Sequence, residues 1–444
     1  MSKGFFIATM GCQMNEYDSE YLSSRLNEMG FAPVDAPEKA DVVLINTCTV
    51  REKADQKAFS LLGRVSRLKL RRPGMVLGLA GCLAQKEGNR LFKRFPQLDF
   101  IIGPRELGNI GTVLDDVSTC RKKRAAISLD HSPLTSFTRP LRNGKITAYI
   151  SIMQGCNNFC AYCIVPYVRG REISRPPEDI VAEARQLIAN GTKEITLLGQ
   201  NVNSYLWNED KNHDFSALLH ELNALKGLLR LRFTTSHPKD LTDDLIHCFT
   251  KLDKLCPHIH LPFQAGANKV LRRMKRGYTR EHYMTLVKRL REVVPDIAIT
   301  SDVMVGFPGE SRNDFEQTLD LVDKIQFDSL FSFKYSDREG TLASYMKNKV
   351  SEEEKASRLS VLQNLQDAIT LKKNRSLENR ELPVLIEGYS KKNTQLMGRT
   401  GSNKIVNLTL NTIYIGCIVN VHIHKGHLHS LSGRPLDFGR SLIT

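Results

Sequence analysis

No stretch of the 444-residue chain approaches the roughly eighteen uninterrupted apolar residues that a bilayer-spanning helix needs, which excludes an ordinary membrane span. The first residues, Met1-Ser2-Lys3-Gly4 and then Phe5 to Thr9, lack the apolar core of an export signal and read as a first strand, so a cytoplasmic address is expected. Acidic residues are in deficit: 48 Asp and Glu face 63 Lys and Arg, leaving a net charge of +15. An excess of that size on a soluble chain points to a polyanionic partner, nucleic acid first, ahead of mere solubility. Apolar residues are not scarce, at 41% hydrophobic against 25% charged, so neither wholesale disorder nor a fibrous repeat fits. The length exceeds what one core organises, and two or three domains are expected.

The positive charge is unevenly spread. Residues 372–444 carry eleven Lys and Arg against four Asp and Glu. Further basic clusters occur at Arg64, Arg67, Lys69, Arg71 and Arg72, at residues 121–124, and at Arg272, Arg273, Lys275 and Arg276; each by itself is compatible with a solvated face.

Ten cysteines in a chain with no export signal should stay thiols, which favours metal binding or catalysis over disulfides. Six fall into two sets: Cys12, Cys48 and Cys82, widely and almost evenly spaced, and the tight group Cys156, Cys160 and Cys163. Cys120, Cys248, Cys256 and Cys417 read as ordinary thiols.

Apolar runs at 5–9, 42–45, 75–80 and 100–103 alternate with helical patterns near 15–29, 52–70 and 86–94, which predicts a parallel sheet wrapped by helices. Cys12, Cys48 and Cys82 each fall just past one of these strands, at the edge where such sheets bind ligands, and are therefore predicted to converge. Residues 111–147 lose periodicity and collect Ser, Thr, Pro and basic residues, the pattern of a linker. Strands at 148–153, 194–199, 229–234, 258–262, 297–305 and 329–335, with helices between them such as 177–189, predict a partial (β/α)6 barrel of the TIM kind. A long polar helix over 352–378 leads to short β-rich runs at 382–388, 395–400, 405–410 and 419–424, predicting a small antiparallel OB-like barrel, either a nucleic-acid clamp or a structural cap. The fold class is thus α/β with a terminal β-barrel, divided as 1–118, a linker over 119–145, 146–376 and 377–444.

Three thiolates spaced as Cys156-x3-Cys160-x2-Cys163 suit three corners of a [4Fe–4S] cube and leave the fourth iron open to a substrate. Zinc competes, but no fourth Cys or His stands nearby at finger spacing. The motif also follows the first strand of the barrel, where active sites lie. With Tyr162 ahead of the last cysteine, it resembles the radical S-adenosylmethionine superfamily. That resemblance implies S-adenosylmethionine chelating the open iron through its methionyl amine and carboxylate, and one-electron cleavage to a 5′-deoxyadenosyl radical. Gly199, Gln200 and Asn201 after the second barrel strand, and Gly306, Gly309 and Glu310 after the fifth, are the implied cofactor-binding residues, the glycines allowing close backbone approach. Singly, each stretch is also compatible with an ordinary turn.

Gly11-Cys12-Gln13-Met14-Asn15, Asn46-Thr47-Cys48-Thr49-Val50 and Gly81-Cys82-Leu83-Ala84-Gln85 resemble the three cysteine motifs of the methylthiotransferases, and the likeness runs over essentially the whole chain. It implies an auxiliary [4Fe–4S] cluster on Cys12, Cys48 and Cys82, a second on Cys156, Cys160 and Cys163, and an RNA-binding TRAM domain at the end. Buried structural thiols are the bland alternative for the first set.

Gln13-Met14-Asn15, residues 199–205, 233–238 and 261–266 are similar to the branch acting on isopentenylated adenosine beside the tRNA anticodon, which implies tRNA, an electron donor and a sulfur source as partners. The alternatives are the branches acting on threonylcarbamoyladenosine or on a ribosomal-protein aspartate, and a non-enzymatic iron–sulfur RNA-binding protein. Phe233, Leu261 and Phe263 are the expected apolar wall for an isopentenyl group. The pairs His258/His260 and His422/His424 read as alternate strand residues rather than metal ligands. Arg169, Arg171 and Arg175 suit either RNA or cofactor contact, or ion pairs with Glu172 and Glu178.

Overall fold

Six parallel strands open the chain: β1 (Gly4–Met10), β2 (Ala32–Pro33), β3 (Val42–Thr47), β4 (Val76–Gly81), β5 (Phe100–Ile102) and β6 (Arg124–Ala126), in the order β2-β1-β3-β4-β5-β6. In this computed structural model residues 3–49, 52–120, 122–129, 145–208, 211–390, 395–409 and 412–436 are described. Helices α1 (Gln13–Glu28), α2 (Glu52–Arg71), α3 (Cys82–Glu87), α4 (Arg90–Arg94) and α5 (Ile110–Cys120) cover the sheet. Every residue of β3 is buried, as expected of a strand with helices on both faces. One face packs Val43, Ile45, Leu77 and Leu79 against Leu62 and Val65 of α2; the other packs Val42 and Leu44 with Leu22 and Leu26 of α1.

The start of the expected linker is instead part of this unit. Ile110, Val113, Leu114 and Val117 recur at helical spacing and bury one face of α5, and β6 extends the sheet beside β5. Residues 121 and 130–144 of that stretch lie outside the described residues.

The second unit begins at β7 (Thr147–Ser151), followed by a short hairpin of β8 (Met153–Gln154) and β9 (Ile173–Ser174) around helix α6 (Val165–Arg169). The barrel then runs through α7 (Pro177–Ala189), β10 (Glu194–Leu198), α8 (Phe215–Asn223), β11 (Arg230–Phe233), α9 (Asp243–Lys251) and β12 (His258–His260). It continues with α10 (Asn268–Arg273), α11 (Arg280–Val293), β13 (Ala298–Val305), α12 (Arg312–Ile325) and β14 (Ser329–Lys334). Two parallel ladders, β11-β10-β7 and β12-β13-β14, are joined by the bridge Leu231 to Leu255, giving an open, curved (β/α)6 sheet. Strand alternation splits its side chains. Ile195, Leu197, Leu231, Ile259, Ile299 and Val303 pack under the helices in one large core, while Tyr149, Thr196, Arg232, His258, His260, Thr300 and Asp302 face the concave side.

Helix α13 (Glu352–Arg375) packs along β14 and delivers the chain to β15 (Glu381–Tyr389), β16 (Leu396–Thr400), β17 (Ile405–Leu408), β18 (Ile418–Gly426) and β19 (Leu431–Pro435), a closed barrel. The last strand is one more than the apolar runs suggested, and it pairs with β17 in parallel, so the barrel is not purely antiparallel. Arg230 donates to the carbonyl of Pro383, and Arg232 to those of Thr400 and Gly401, so the terminal barrel seals the end of the larger one where its strands begin. Among the described residues no helix is long and apolar enough to cross a membrane.

Candidate active site

The two cysteine sets lie on either side of the boundary between the first two units. Cys12 caps the start of α1, Cys48 follows β3, and Cys82 is the first residue of α3, so three strand ends do bring the three thiols together. The turns are tight. A Cβ at Gly11 would stand 2.6 Å from Cβ of Cys48, and one at Gly81 would stand 2.6 Å from the Thr47 carbonyl oxygen, both at positive φ. Asn15 and Asn46 hold these turns from below: Asn15 Nδ2 donates to Asn46 Oδ1 at 3.2 Å, Asn46 Nδ2 returns to the Asn15 carbonyl at 2.9 Å, and Asn15 Oδ1 accepts from Cys12.

The thiols hydrogen-bond one another, with Cys48 between the other two. Cys48 keeps its proton, pushed up by sharing it with Cys12 and Cys82. Cys12 is lowered to about 6, first by the Cys48 thiol and then, against the cost of burial, by Arg169; Cys82 is lowered by the same two neighbours. Cys12 and Cys82 are thus biased toward thiolate, the form that binds metal, at the expense of Cys48 between them.

Arg169 comes from the barrel unit. Its Nη2 pairs with Asp18 at 2.7 Å, its Nε donates to Cys82 Sγ at 3.3 Å, and its Nη1 is buried with no hydrogen-bond partner. Arg175 is likewise buried, held at 2.7 Å by Glu183, at 3.2 Å by Tyr17 and at 2.6 Å by the Ser151 carbonyl. The carboxylates that hold them are Asp18 and Glu183. Arg171 lies 5.4 Å from the ring centre of Phe159. Asp18 is distant from Arg169 in sequence, whereas Arg175 finds its carboxylate on the helix that follows it.

In the second set, Cys156 and Cys160 are buried and Cys163 is half-buried. Asn158 donates twice to Cys156 Sγ at 3.5 Å. Burial pushes Cys163 up to about 12. Arg276, which sequence placed in a solvated basic cluster, is fully enclosed: Nη1 donates to Cys160 Sγ at 3.3 Å, Nε to the Tyr278 hydroxyl and Nη2 to the Pro262 carbonyl. Nothing in its neighbours Arg272, Arg273 and Lys275 distinguishes it.

The other expected cofactor residues surround this loop. Gln200 Oε1 accepts from the Gly155 amide at 2.5 Å, and Asn201 Nδ2 donates to Asp240 at 2.7 Å, leaving Asn201 Oδ1 buried without a partner. Glu310 accepts from the Gly306 amide at 2.9 Å and from Arg358 at 2.7 Å, so it ties this turn to α13. The room left by the missing side chains is taken by the protein itself: Met153 at Gly199, Lys355 at Gly306 and Arg273 at Gly309. Ser236 Oγ and His237 Nε2 are also buried without partners. His237 Nδ1 accepts from the Lys239 amide, which leaves the proton on Nε2, and burial lowers the ring to about 2, so it is a neutral donor.

Phe233, Leu261 and Phe263 do not line the site. Phe233 packs at 5.1 Å on Phe215, Phe263 stacks at 5.3 Å on Phe327, and all three belong to the core beneath the helices. Strand parity sends them away from the concave face. His258 and His260 share the Thr300 hydroxyl at 3.1 and 3.0 Å. As the side chains stand, no group of three or more His, Cys, Asp or Glu among the described residues is set to hold a metal ion.

Residues 4–103 match the uncharacterized protein family UPF0004, residues 150–322 the radical SAM superfamily, and residues 375–436 the TRAM domain. The chain is 49% identical over 436 residues to a tRNA-2-methylthio-N(6)-dimethylallyladenosine synthase of Syntrophus aciditrophicus, covering 98% of this chain and 95% of the other. It is 46% identical to the protein of the same name from Carboxydothermus hydrogenoformans, covering 97% and 99%. The chain belongs to the tRNA-2-methylthio-N(6)-dimethylallyladenosine synthase family. As a member of this synthase family it is an enzyme, a tRNA methylthiotransferase of the radical S-adenosylmethionine type. Among solved structures, the radical S-adenosylmethionine methyltransferase TsrM of Kitasatospora setae shares the fold, with a TM-score of 0.58 at 15% identity over 78% of this chain and 74% of that one.

Proposed function

We propose that the enzyme converts N6-dimethylallyladenosine at position 37, beside the tRNA anticodon, to its 2-methylthio derivative, and that it does so with two [4Fe–4S] clusters. The observation that carries the two-cluster reading is the pair of three-thiol sets, each touched by a buried arginine on one thiol: Arg169 on Cys82 and Arg276 on Cys160. The donor chemistry fits such groups. Each set offers three thiols and no fourth, each arginine offsets thiolate charge, and the unpartnered Nη1 of Arg169 suits an anionic neighbour. Loading requires the thiols of the first set to turn away from one another about their Cα–Cβ bonds. Cys12, Cys48 and Cys82 then hold the auxiliary cluster, and Cys156, Cys160 and Cys163 hold the one that binds S-adenosylmethionine. When bound, these groups supply sulfur from the first site and, after one-electron reduction at the second, the radical that removes hydrogen from C2, an unactivated position closed to ordinary acid–base chemistry.

The chain's own part is positioning and exclusion of water. Asn201, Ser236 and His237 present one acceptor, one hydroxyl and one donor to the polar groups of S-adenosylmethionine. Gly199, Gln200, Gly306, Gly309 and Glu310 shape the turns around it. The TRAM barrel grips tRNA phosphates, and the unstacked base enters the concave face of the larger barrel. A central unit over 146–376 and a terminal one over 377–444, a cytoplasmic address, and an external electron donor and sulfur source complete the reading.

The test presents reconstituted enzyme, reductant and S-adenosylmethionine with tRNA carrying dimethylallyladenosine, threonylcarbamoyladenosine or unmodified adenosine, and with the ribosomal protein. Methylthiolation confined to the first is expected; equal or better turnover of another overturns the substrate. Iron should number about eight per chain and fall to about four when either cysteine triple becomes Ala. Only the Cys156/Cys160/Cys163 triple should abolish 5′-deoxyadenosine formation, and loss in both would overturn separate roles.

A further inference from the structure

Phe331 is 49% exposed, although it lies within the central unit on a strand of its main sheet. The register explains why. Asp302 stands opposite Phe331 and Met304 opposite Phe333 across the β13–β14 ladder, and Leu330 packs into the core on the other face, so these four side chains share the concave face. His260 meets the Phe331 ring edge-on at 5.8 Å, and its Nε2 lies 3.5 Å from Asp302 Oδ1. Phe331 therefore stands open inside a concavity that also holds the polar His258, Thr300 and Arg232, with the half-buried Met304 and Phe333 beside it on the same face.

We propose that Met304, Phe331 and Phe333 form the wall that receives the dimethylallyl group of the substrate nucleoside, and that Asp302 beside them turns away a carboxylate-bearing substituent. The inference rests on the function proposed above and names the residues that set its specificity. A branched five-carbon chain has no polar atom to satisfy and gains by covering Phe331. A threonylcarbamoyl group would bring its carboxylate against that of Asp302, which is selection by repulsion as well as by fit.

The test is binding rather than turnover. The full-length protein is titrated with stem-loop RNAs that differ only in one base, carrying dimethylallyladenosine, threonylcarbamoyladenosine or adenosine, and affinities are read as ratios. The wild type should favour the dimethylallyl RNA over the unmodified one by on the order of tenfold or more. Phe331→Asn and Met304→Asn should bring that ratio near one, and Phe331→Leu, which stays apolar, should keep most of it. Asp302→Asn should raise the relative affinity for the threonylcarbamoyl RNA about tenfold. A dimethylallyl preference that survives both Asn substitutions overturns the wall assignment, even in an enzyme that still methylthiolates dimethylallyladenosine. If no RNA is methylthiolated at all, the proposed function fails and the inference falls with it.

Discussion

Arg169 Nε lies 3.3 Å from Cys82 Sγ across the boundary between the N-terminal sheet and the (β/α)6 barrel, and the same guanidinium pairs with Asp18. The two units are thereby joined at the point where their thiol sets approach, through a charge that is fully enclosed. Burial alone would push the Asp18 carboxyl up, and Arg169 is what opposes this.

Arg169→Met should leave Asp18 as an uncompensated buried acid and cost about 3–5 kcal/mol of stability, read as a lower midpoint in urea. Arg169→Lys keeps the charge but loses the planar fork, and should fall between the two. Adding Asp18→Asn to Arg169→Met should recover part of the loss. A midpoint unmoved by Arg169→Met would mean that the pair contributes nothing.

RNA binding should be electrostatic at the terminal barrel. Lys425 and Arg434 are exposed on neighbouring strands β18 and β19 and have no ion-pair partner among the described residues. Changing both to Ala should weaken tRNA binding and reduce the slope of log K against log salt by about 1 to 2. An unchanged slope would remove this face from the RNA contact. Deleting the whole barrel is a poorer experiment, because Arg230 and Arg232 would lose the carbonyls of Pro383, Thr400 and Gly401.

A third expectation concerns pH. Burial raises the Glu172 carboxyl to about 7, against the hydrogen bond from Ser204. Between its ordinary value, 4.5, and about 7 the folded chain therefore holds a proton that the unfolded chain has released, and stability falls as pH rises through that window. Glu172→Gln removes this slope. Relative to the wild type, the variant should gain stability between pH 5 and pH 8 in urea titrations; an equal difference at both values would show that Glu172 does not titrate there.

Much of the fold is legible in the pattern of apolar runs. The helix at Pro177–Ala189 has its prolines at the start and its apolar residues on one face, and it forms as those signals dictate. Helix α5 was equally legible, with apolar residues at 110, 113, 114 and 117, but the Ser, Thr and basic residues that follow it obscured the period. The parallel β17–β19 pair was not legible, since short polar strands carry no signal for their partners.

The sequence by itself determined which side chains the chemistry has to work with. Cys12, Cys48 and Cys82 past three strands, and Cys156, Cys160 and Cys163 within eight residues of one another, mark in sequence the two thiol sets on which the proposed clusters rest. Tertiary structure alone decided what surrounds them. Strand parity, a two-residue period with no mark on individual residues, buried Phe233, Leu261 and Phe263 beneath helices and turned Met304, Phe331 and Phe333 toward the open barrel. In sequence Arg276 reads as one of a solvated basic cluster, and Arg169 as an RNA or cofactor contact or a local ion pair. They became buried partners of thiols only because folding brought Cys82 and Cys160 to them across 87 and 116 residues of chain, where a charge enclosed with its counter-charge is tolerated and an unpaired one is not.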